Sequence, residues 1–503
     1  MDSDVVVVGG GPSGLLTAAE LAHAGARVTV LERRREPVAS RAGTILPRVL
    51  EILDSRGLAG RFVERARALH GVPTVPVHMW AGLGPVHWHH LGSRFGFGLI
   101  LPQGITEEIL LDHARRQGAD IRQGAVAERI TQDDHGVQVG FRDGDDRAET
   151  ITARYVVGAD GARSVVRRQA GIGFEGHDAT FTGIVADARM EFPFGAAGHH
   201  MTDNEHGWCM TYPFGDGTEP ITRFVIVHAQ RRAAPQNEPV TADEVRRCLH
   251  EIFETPIEVD ELAWASRYTD AQRIAPRFRD GRVLLVGEAA RVHYPASGVG
   301  MNFCLQDAFN LGWKLAAVVN GHAGEALLDS YESERRPVAL ELLESVESQG
   351  AVQHDFTPEG ITFKRMYQRE ILPIPEVNRR TALELNGLLS PYPAQPGAHR
   401  LTGMPAPDLE LLTATGTVRI GELLREHAFV LVDLTDGNTY RDLGHDPALV
   451  GVVTGVPVLP PAELAGVRSL LVRPDGYVAW ADDQEPVPDS ATTAINNWIS
   501  TAR

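Results

Sequence analysis

The stretch from Val283 to Leu315, VLLVGEAARVHYPASGVGMNFCLQDAFNLGWKL, decides the fold of this 503-residue chain. The apolar run 283–286 is typical of a buried parallel strand. A loop of small residues, proline and glycine follows, and an amphipathic helix is predicted from about Met301. Gly298 and Gly300 let a backbone come close to a flat or anionic group, and the N–H groups at the helix start point to the same place. The stretch therefore predicts a ligand site at the beginning of this helix.

A second ligand motif lies near the N-terminus. A strand predicted over Asp4 to Val8 leads directly into Gly9, Gly11 and Gly14, which have the G-x-G-x-x-G spacing. In a dinucleotide site these glycines give a tight turn, room for the pyrophosphate and close helix-to-strand packing. A helix and a second strand follow, and Glu32 ends that strand, where a carboxylate holds the ribose hydroxyls of adenosine. The unit predicts a Rossmann-like dinucleotide-binding domain.

Together these motifs resemble those of the class A flavoprotein monooxygenases, the para-hydroxybenzoate hydroxylase group. The 283–315 stretch matches the second flavin motif of that family at Gly287, Pro295 and Gly300, at the pair Met301 and Asn302, and through QDAFNLGWKL. The resemblance implies that FAD is the resident cofactor. It also implies that the backbone N–H groups of Met301 and Asn302 hold flavin O2, and that Pro295, our catalytic candidate, lies nearest the reactive edge of the ring.

Three further segments extend the resemblance. Arg41 matches an arginine beside the pyrophosphate or adenosine, and Gln103 matches a glutamine that contacts the ribityl chain. Asp160, in GADGARSVVR, matches the DG motif and is implied to contact the ribityl chain or pyrophosphate. Glu288 completes the predicted cofactor-binding set. Arg48 is instead predicted to begin or cap a surface helix.

The sequence departs from the family pattern at three places. Glu288 stands where the family has Asp, and Arg291 stands where it often has His. Ser297 and Val299 break the usual GGQG. A longer acid, a fixed charge and the loss of an amide all bear on the flavin ring, so these departures leave open whether the flavin is redox-active.

The resemblance covers nearly the whole chain and implies an α/β fold with three domains. These are a Rossmann-like FAD-binding domain, a mixed-sheet substrate domain and a thioredoxin-like C-terminal domain, which we expect to be a separate small unit. The tail has no CxxC, so dithiol chemistry is excluded and a role in packing or in a homodimer remains. The predicted limits are 1–75, 98–180 and 275–375 for the FAD-binding domain, 76–97 and 181–274 for the substrate domain, 376–396 for a linker and 397–503 for the tail.

The substrate domain is predicted from strand-like stretches between Phe181 and Tyr268, with one helix over Ala242 to Phe253. Its aromatic and charged side chains are candidates for lining a pocket, although single aromatic residues on strands are more often part of a core. These candidates are Trp208, Met210, Tyr212, Phe214 and Arg223.

Composition excludes several classes of partner. A net charge of −18 argues against nucleic acid and anionic membranes. No apolar run approaches the roughly 18 residues of a membrane span, and the strand near Asp4 leaves no room for a signal peptide. Three cysteines without metal or CxxC spacing fit a cytoplasmic protein. His87, His89 and His90 alternate between strand faces, so no metal site is predicted.

The resemblance implies a reaction. With one dinucleotide fingerprint, FAD is resident and NAD(P)H docks transiently. The expected activity is monooxygenation of an aromatic or polyketide natural-product intermediate, a small hydrophobic substrate, through a flavin C4a-hydroperoxide. The alternative is a non-redox cyclase, since a few relatives keep FAD as a structural wall and catalyse a decalin-forming [4+2] cycloaddition in polyketide biosynthesis.

Overall fold

The computed structural model describes residues 1–36, 42–70, 74–195, 198–215, 217–231, 234–435, 437, 439–440 and 443–499. Arg41 therefore lies outside the described residues. Strands and helices are labelled here in chain order.

The strands are β1 Val5–Val8, β2 Val28–Glu32, β3 Thr44–Ile45, β4 Val77–Trp80, β5 Leu83–His87, β6 Leu99–Ile100, β7 Asp120–Gln123, β8 Val126–Gln132, β9 Val137–Arg142, β10 Ala148–Ala153, β11 Tyr155–Gly158, β12 Glu175–His177, β13 Thr182–Arg189, β14 His200–Asn204, β15 Gly207–Pro213, β16 Ile221–His228, β17 Leu262–Thr269, β18 Gln272–Ile274, β19 Arg279–Asp280, β20 Val283–Leu285, β21 Arg291–Val292, β22 Glu410–Thr413, β23 Gly416–Arg419, β24 Phe429–Asp433, β25 Val450–Thr454, β26 Val456–Pro457, β27 Ser469–Val472 and β28 Val478–Asp482.

The α-helices are α1 Pro12–His23, α2 Pro47–Asp54, α3 Ala59–His70, α4 Gln103–Gln117, α5 Val165–Gln169, α6 Ala242–Phe253, α7 Gly300–Val319, α8 Asp329–Gln353, α9 Pro358–Met366, α10 Pro375–Leu385, α11 Ile420–Leu423 and α12 Pro488–Asn496. Short 3-10 turns occur at Trp88–Leu91, Gly287–Ala289, Ala296–Gly298, Glu325–Leu328 and Ala462–Leu464. A π-helical turn spans Tyr367–Ile371.

The largest sheet has six strands in the order β19-β20-β11-β1-β2-β7. All of its pairings are parallel except that of β19 with β20. Strands such as Val5–Val8 are wholly apolar because both faces of this parallel sheet are buried, by helices such as α1 and by the strands β8 to β10. The strand and the helix predicted within 283–315 are present as β20 and α7. The carboxyl ends of β1, β2, β11 and β20 meet at one edge, where ligands bind in open α/β sheets.

A second sheet of five antiparallel strands, in the order β14-β15-β16-β13-β17, lies in the 181–274 region. The helix predicted over Ala242 to Phe253 is present with these limits as α6. Strands β8, β9 and β10 form an antiparallel meander. The substrate region is therefore built mainly from strands, as the sequence pattern indicates.

The tail has an apolar cluster of its own and also packs closely against the FAD-binding region. Trp313 of α7 packs in one apolar cluster with tail residues that include Phe429, Leu431 and Ile495. Arg48, predicted on a surface helix, begins helix α2 but is buried. Its Nη2 donates to the carbonyl of Asp475, 2.8 Å away. The sequence pattern missed this because pairing across domains leaves no local signal.

Pro375 and Pro337 both lie in helices. Segment 376–396, predicted as a linker, begins inside α10, because Pro375 occupies the first helical position, where a missing N–H is harmless. The Asn378 side chain in α10 accepts from the N–H of His87 at 2.8 Å, so this part of the segment packs on the β4–β5 region. Pro337 lies inside α8 and does not end it.

Candidate active site

One large cavity, about 750 Å³ in volume, lies between the carboxyl edge of the six-stranded sheet and one face of the five-stranded sheet. Its lining includes Gly11 and Glu32 from the first sheet and Trp208 and Met210 from the second, together with Met301 at the start of α7. The two motifs that the sequence singled out are thus brought to one continuous space. Its volume falls in the range of ligand-binding clefts.

The three glycines of the G-x-G-x-x-G motif have different structural roles. A Cβ on Gly9, whose φ is +109°, would meet the carbonyl oxygen of Ala159 at 2.3 Å. A Cβ on Gly14 would lie 1.9 Å from the carbonyl oxygen of Gly9, so this glycine permits close helix-to-strand packing. A Cβ on Gly11 would meet nothing within 4 Å, and Gly11 lines the cavity. Of these three glycines, only Gly11 therefore borders open space that a ligand can occupy.

Glu32 and Gln103 both line the cavity and are held by neighbours. The Glu32 carboxylate accepts from the N–H groups of Gly10 at 2.5 Å and Arg34 at 2.8 Å. The Gln103 side-chain amide donates to Glu107 at 2.8 Å. Arg34 lies between the two acids, with its guanidinium 2.8 Å from Glu32 and 3.5 Å from Glu107. Sequence reasoning missed Arg34 and Glu107, although the position of Arg34 two residues after the strand-end acid was a usable signal.

Asp160 follows β11 at the same edge. Its Oδ2 accepts from the N–H groups of Val165 at 2.6 Å and Val166 at 3.2 Å. Its Oδ1 is buried, has no partner among the described residues, and belongs to a side chain that lines the cavity. Burial raises the pKa of Asp160. An acceptor left open here and the uncovered backbone at Gly11 both fit a dinucleotide with hydroxyl donors and a pyrophosphate, and FAD is such a group.

The start of α7 forms the far end of the cofactor region. Pro295, Gly300 and Met301 line the cavity, and Gly287 packs behind it with a φ of +64°, where a Cβ would meet Ser13 Oγ at 2.6 Å. Asn302 differs from its prediction, because its N–H donates to the carbonyl of Val299 at 2.9 Å.

The side chain of Asn302 has a different task. Its Oδ1 accepts from the N–H of Leu46 at 2.7 Å, and its Nδ2 donates to the carbonyl of Thr44 at 2.9 Å. Asn302 thus fastens β3 to α7. For the N–H of Met301, the contact with flavin O2 stays a prediction.

The residues that depart from the family motif lie in different local environments. Glu288 projects into the cavity, whereas Arg291 is fully buried and forms an ion pair with Asp307, so its charge does not reach the cavity. Ser297 adopts a left-handed conformation with φ at 50°, and its hydroxyl donates to Gln349 at 2.6 Å. Val299 is 1% exposed and belongs to an apolar cluster, where a glutamine amide would be costly.

Three of the five substrate candidates line the cavity. Trp208, Met210 and Tyr212 alternate along β15 and therefore share one face. Phe214 and Arg223 are not among the lining residues. The Arg223 guanidinium is buried, pairs with Asp187 at 2.6 and 2.7 Å, and lies 3.6 Å from the ring centroid of Phe214. The sequence pattern missed this because the partner lies on the neighbouring strand β13.

Sequence reasoning also missed four aromatic residues that line this half of the cavity, namely His78, Tyr268, His293 and Tyr294. A ring nitrogen of His293, Nδ1, lies 2.7 Å from the carbonyl oxygen of Tyr294. Burial lowers the pKa of His293 to about 4, so the ring is neutral at neutral pH and Nδ1 is the donor of that bond. The other nitrogen, Nε2, lies 3.1 Å from where a Cβ on Gly300 would be. The site thus carries a neutral imidazole beside the start of α7.

In the described part of the chain, no three His, Cys, Asp or Glu side chains are grouped so that they could hold a metal ion. No helix within the described ranges has the length and apolar character needed to cross a membrane.

Two family models match the chain. Residues 2–346 match a model described as FAD binding domain, and residues 399–502 match one described as the C-terminal part of aromatic-ring hydroxylases. The first match spans more than half of the chain and contains every lining residue discussed above.

Three similar proteins come from Streptomyces. A rifampicin monooxygenase from Streptomyces venezuelae is 37% identical, with 99% of each chain covered. The solved structure of OxyS, an anhydrotetracycline hydroxylase from Streptomyces rimosus, has a TM-score of 0.86 and 35% identity over 99% of each chain. A dialkyldecalin synthase from Streptomyces rugosporus is 31% identical over all of both chains. The chain therefore belongs to the family of FAD-dependent aromatic-ring hydroxylases, the class A flavoprotein monooxygenases, and is an enzyme.

Proposed function

We propose that this enzyme uses NAD(P)H and oxygen to hydroxylate a planar polycyclic polyketide. The observation that carries the proposal is the continuity of one cavity, from the dinucleotide motif at Gly11 and Glu32 to an apolar wall on the five-stranded sheet. That wall contains a row across three strands, Met210, Val225 and Val185, which are neighbours in register. A flat row of apolar side chains suits the face of a fused ring system. The names of two relatives, which act on rifampicin and anhydrotetracycline, support this class.

The protein's own residues bind and orient the reactants. Gly11 leaves room for the pyrophosphate, Glu32 accepts from ribose hydroxyls, and Asp160 Oδ1 accepts from a hydroxyl of the ribityl region. FAD, when bound, supplies the electron transfer from NAD(P)H and the activation of oxygen. The N–H of Met301 and the positive end of the α7 dipole favour negative charge at the near end of the ring. Pro295 and the aromatic wall keep water from the reacting edge.

The second candidate is the non-redox cyclase. The observation in its favour is that the dialkyldecalin synthase aligns with the chain from end to end. The same cavity would fold an apolar chain against the ring. The departures at Arg291 and Val299 do not favour it, because both side chains are buried away from the cavity.

The test is turnover with a defined probe. The purified holoenzyme is mixed with NADPH or NADH and anhydrotetracycline, with and without air. We expect the probe to accelerate NAD(P)H oxidation, and the product mass to rise by one oxygen atom only in air. Conversion of a linear polyene to an isomer of equal mass without oxygen or NAD(P)H would overturn the hydroxylase and establish the cyclase.

The finer proposal about the C-terminal domain rests on sheet topology. The C-terminal sheet has the order β25-β24-β27-β28, with β24 parallel to β25 and antiparallel to β27. This order, followed by helix α12, supports the thioredoxin-like description of the tail. The domain limits given above, a homodimer and a cytoplasmic location belong to the same proposal, and size-exclusion chromatography with light scattering tests the homodimer.

A further inference from the structure

The indole N–H of Trp208 is a buried donor without a partner. Trp208 is 4% exposed and lies on β15 in the wall of the cavity. Its Nε1 has no hydrogen-bond acceptor among the described residues. Leaving such a donor unpaired costs about 1–3 kcal/mol, so its position asks for an explanation.

The neighbouring turn keeps this N–H uncovered. Gly82 also lines the cavity, and a Cβ there would lie 2.5 Å from Trp208 Nε1. Ala81 and Gly82 form a two-residue hairpin turn between β4 and β5, and both have positive φ values, 53° and 76°. The turn is held in place because the N–H of Ala81 donates to Gln349 at 3.0 Å. A glycine is thus fixed where any side chain would block the donor.

Three other donors in this half of the cavity have protein acceptors. The hydroxyl of Tyr294 donates to Gln353 at 2.9 Å, and that of Tyr268 donates to the carbonyl of Ile226 at 3.3 Å. A ring nitrogen of His78, Nε2, lies 2.7 Å from the carbonyl oxygen of Ser297 and donates to it. The Trp208 N–H has none and is therefore placed to meet a ligand atom, on the same sheet as the apolar row Met210, Val225 and Val185.

Burial alone does not distinguish Trp208 from other tryptophans in the chain. Trp88 and Trp313 also have indole N–H groups without a described partner. Neither residue is among those that line the cavity. Trp208 is set apart because its unpaired donor coincides with the cavity and with the glycine turn.

We propose that Trp208 Nε1 donates a hydrogen bond to a carbonyl or phenolic oxygen of the substrate and so fixes the orientation of the ring system on the sheet. The ligand class is a planar polycyclic ketone, quinone or phenol, as opposed to a bare hydrocarbon. This rests on the proposed function for the identity of the cavity's second occupant. Trp208 acts as a specificity-determining residue, and no proton leaves its indole.

The experiment compares two probes of the same shape on the holoenzyme. Dissociation constants for 9,10-anthraquinone and anthracene are measured from the change in the bound-flavin spectrum. We expect unaltered protein to prefer anthraquinone by about fivefold or more, the worth of one hydrogen bond. Trp208→Phe should abolish that preference, because only anthraquinone loses a hydrogen bond, whereas both probes lose the same contact with the indole ring. Trp313→Phe, which removes an unpaired N–H elsewhere, should keep the preference.

A second measurement uses the unaltered protein labelled with 15N at its seven tryptophans. One indole N–H resonance should move downfield on adding anthraquinone, and none should do so with anthracene. Equal affinity of the unaltered protein for both probes would overturn the proposal, as would a preference that survives Trp208→Phe. Because binding is read without turnover, a retained preference together with absent hydroxylation would count against the proposed function alone.

Discussion

Arg473 of the tail and Glu334 of α8 form a two-pronged ion pair, with Nη1 to Oε1 at 2.7 Å and Nη2 to Oε2 at 2.8 Å. Both side chains are at most 3% exposed. The guanidinium also reaches Asp475 at 2.6 Å, and Lys314 of α7 shares Glu334 at 2.6 Å. Burial raises the pKa of Glu334, but the charges of Arg473 and Lys314 outweigh it and hold that pKa well below its ordinary value. The tail is therefore joined electrostatically to the helix that begins at the cofactor site.

Replacing Arg473 by Met should destabilise the whole protein. The change leaves a buried carboxylate with one cation fewer, and breaking a buried pair in this way costs about 3–5 kcal/mol. The measurement is the free energy of unfolding from urea titration, followed by bound-flavin absorbance and by circular dichroism.

Arg468→Met is the matched control in the same tail. Arg468 pairs with Glu485 at 2.8 Å, but the two side chains are 39% and 82% exposed. An exposed pair is worth about 1 kcal/mol or less. If both variants lose equally little stability, the buried network does not join the tail to α8 energetically.

Arg291→His restores the residue that the family often has. In this protein Asp307 is shared by Arg291 and by Arg335, whose Nε is 2.7 Å from Asp307 Oδ1. The substitution should lower stability by about 1–3 kcal/mol, because a buried acceptor loses a charged donor. Flavin content and the rate of flavin reduction by NAD(P)H should not change, since Arg291 does not line the cavity. A changed rate of flavin reduction at unchanged stability would show that Arg291 does influence the reactive site.

The sequence was sufficient for the parts of the site whose function depends on local backbone. Gly9, Gly11 and Glu32 could be predicted because one strand-turn-helix unit fixes all three at a sheet edge. Asp160 could be predicted for the same reason, since it follows β11 directly. The start of α7 was placed within one residue, because the glycines and the amphipathic period mark it.

Contacts between segments that are far apart in the chain could not be predicted from the sequence. Arg473 and Glu334 are 139 residues apart, and nothing near either residue indicates the other. Arg223 was read as a pocket residue because its partner Asp187 lies on another strand. Segment 376–396 was predicted to be a linker, whereas its first part belongs to helix α10, which Pro375 begins. In each case the deciding interaction is tertiary, and residue type or spacing alone does not encode it.

Gly11→Val should yield a folded protein without flavin. Gly11 has φ −76° and ψ −178°, a conformation that valine adopts without strain. Because a Cβ there meets no protein atom within 4 Å, the added side chain would enter the space assigned to the pyrophosphate. The flavin-to-protein ratio is read from the absorbance spectrum.

Gly60→Val is the control for that substitution. Gly60 lies in α3, is also open on its Cβ side, and is not among the cavity-lining residues. It should keep a full complement of flavin, and its stability should not fall, because valine has a higher helix propensity than glycine. A Gly11→Val protein that purifies with full flavin would show that the pyrophosphate lies elsewhere.

His293 should make stability depend on pH. Burial, reinforced by the charge of Arg291 and opposed by the bond to Tyr294, lowers its pKa from 6.5 to about 4. Between these values the unfolded chain binds a proton that the folded chain does not, so stability falls as the pH drops from 6.5 towards 4. The difference between pH 7.5 and pH 5 should be about 2 kcal/mol from this residue.

Urea titrations at both pH values measure this loss in the unaltered protein and in His293→Asn. Asparagine keeps an N–H for the carbonyl of Tyr294 and has no titration in this range, so the variant should lose about 2 kcal/mol less stability on acidification. Other buried groups that titrate are common to both proteins and cancel in the difference. An identical loss in the two proteins would mean that His293 is protonated in the folded state at pH 5. A charged imidazole would then face the cavity beside Gly300, in place of the neutral ring that leaves Nε2 free to accept a hydrogen bond.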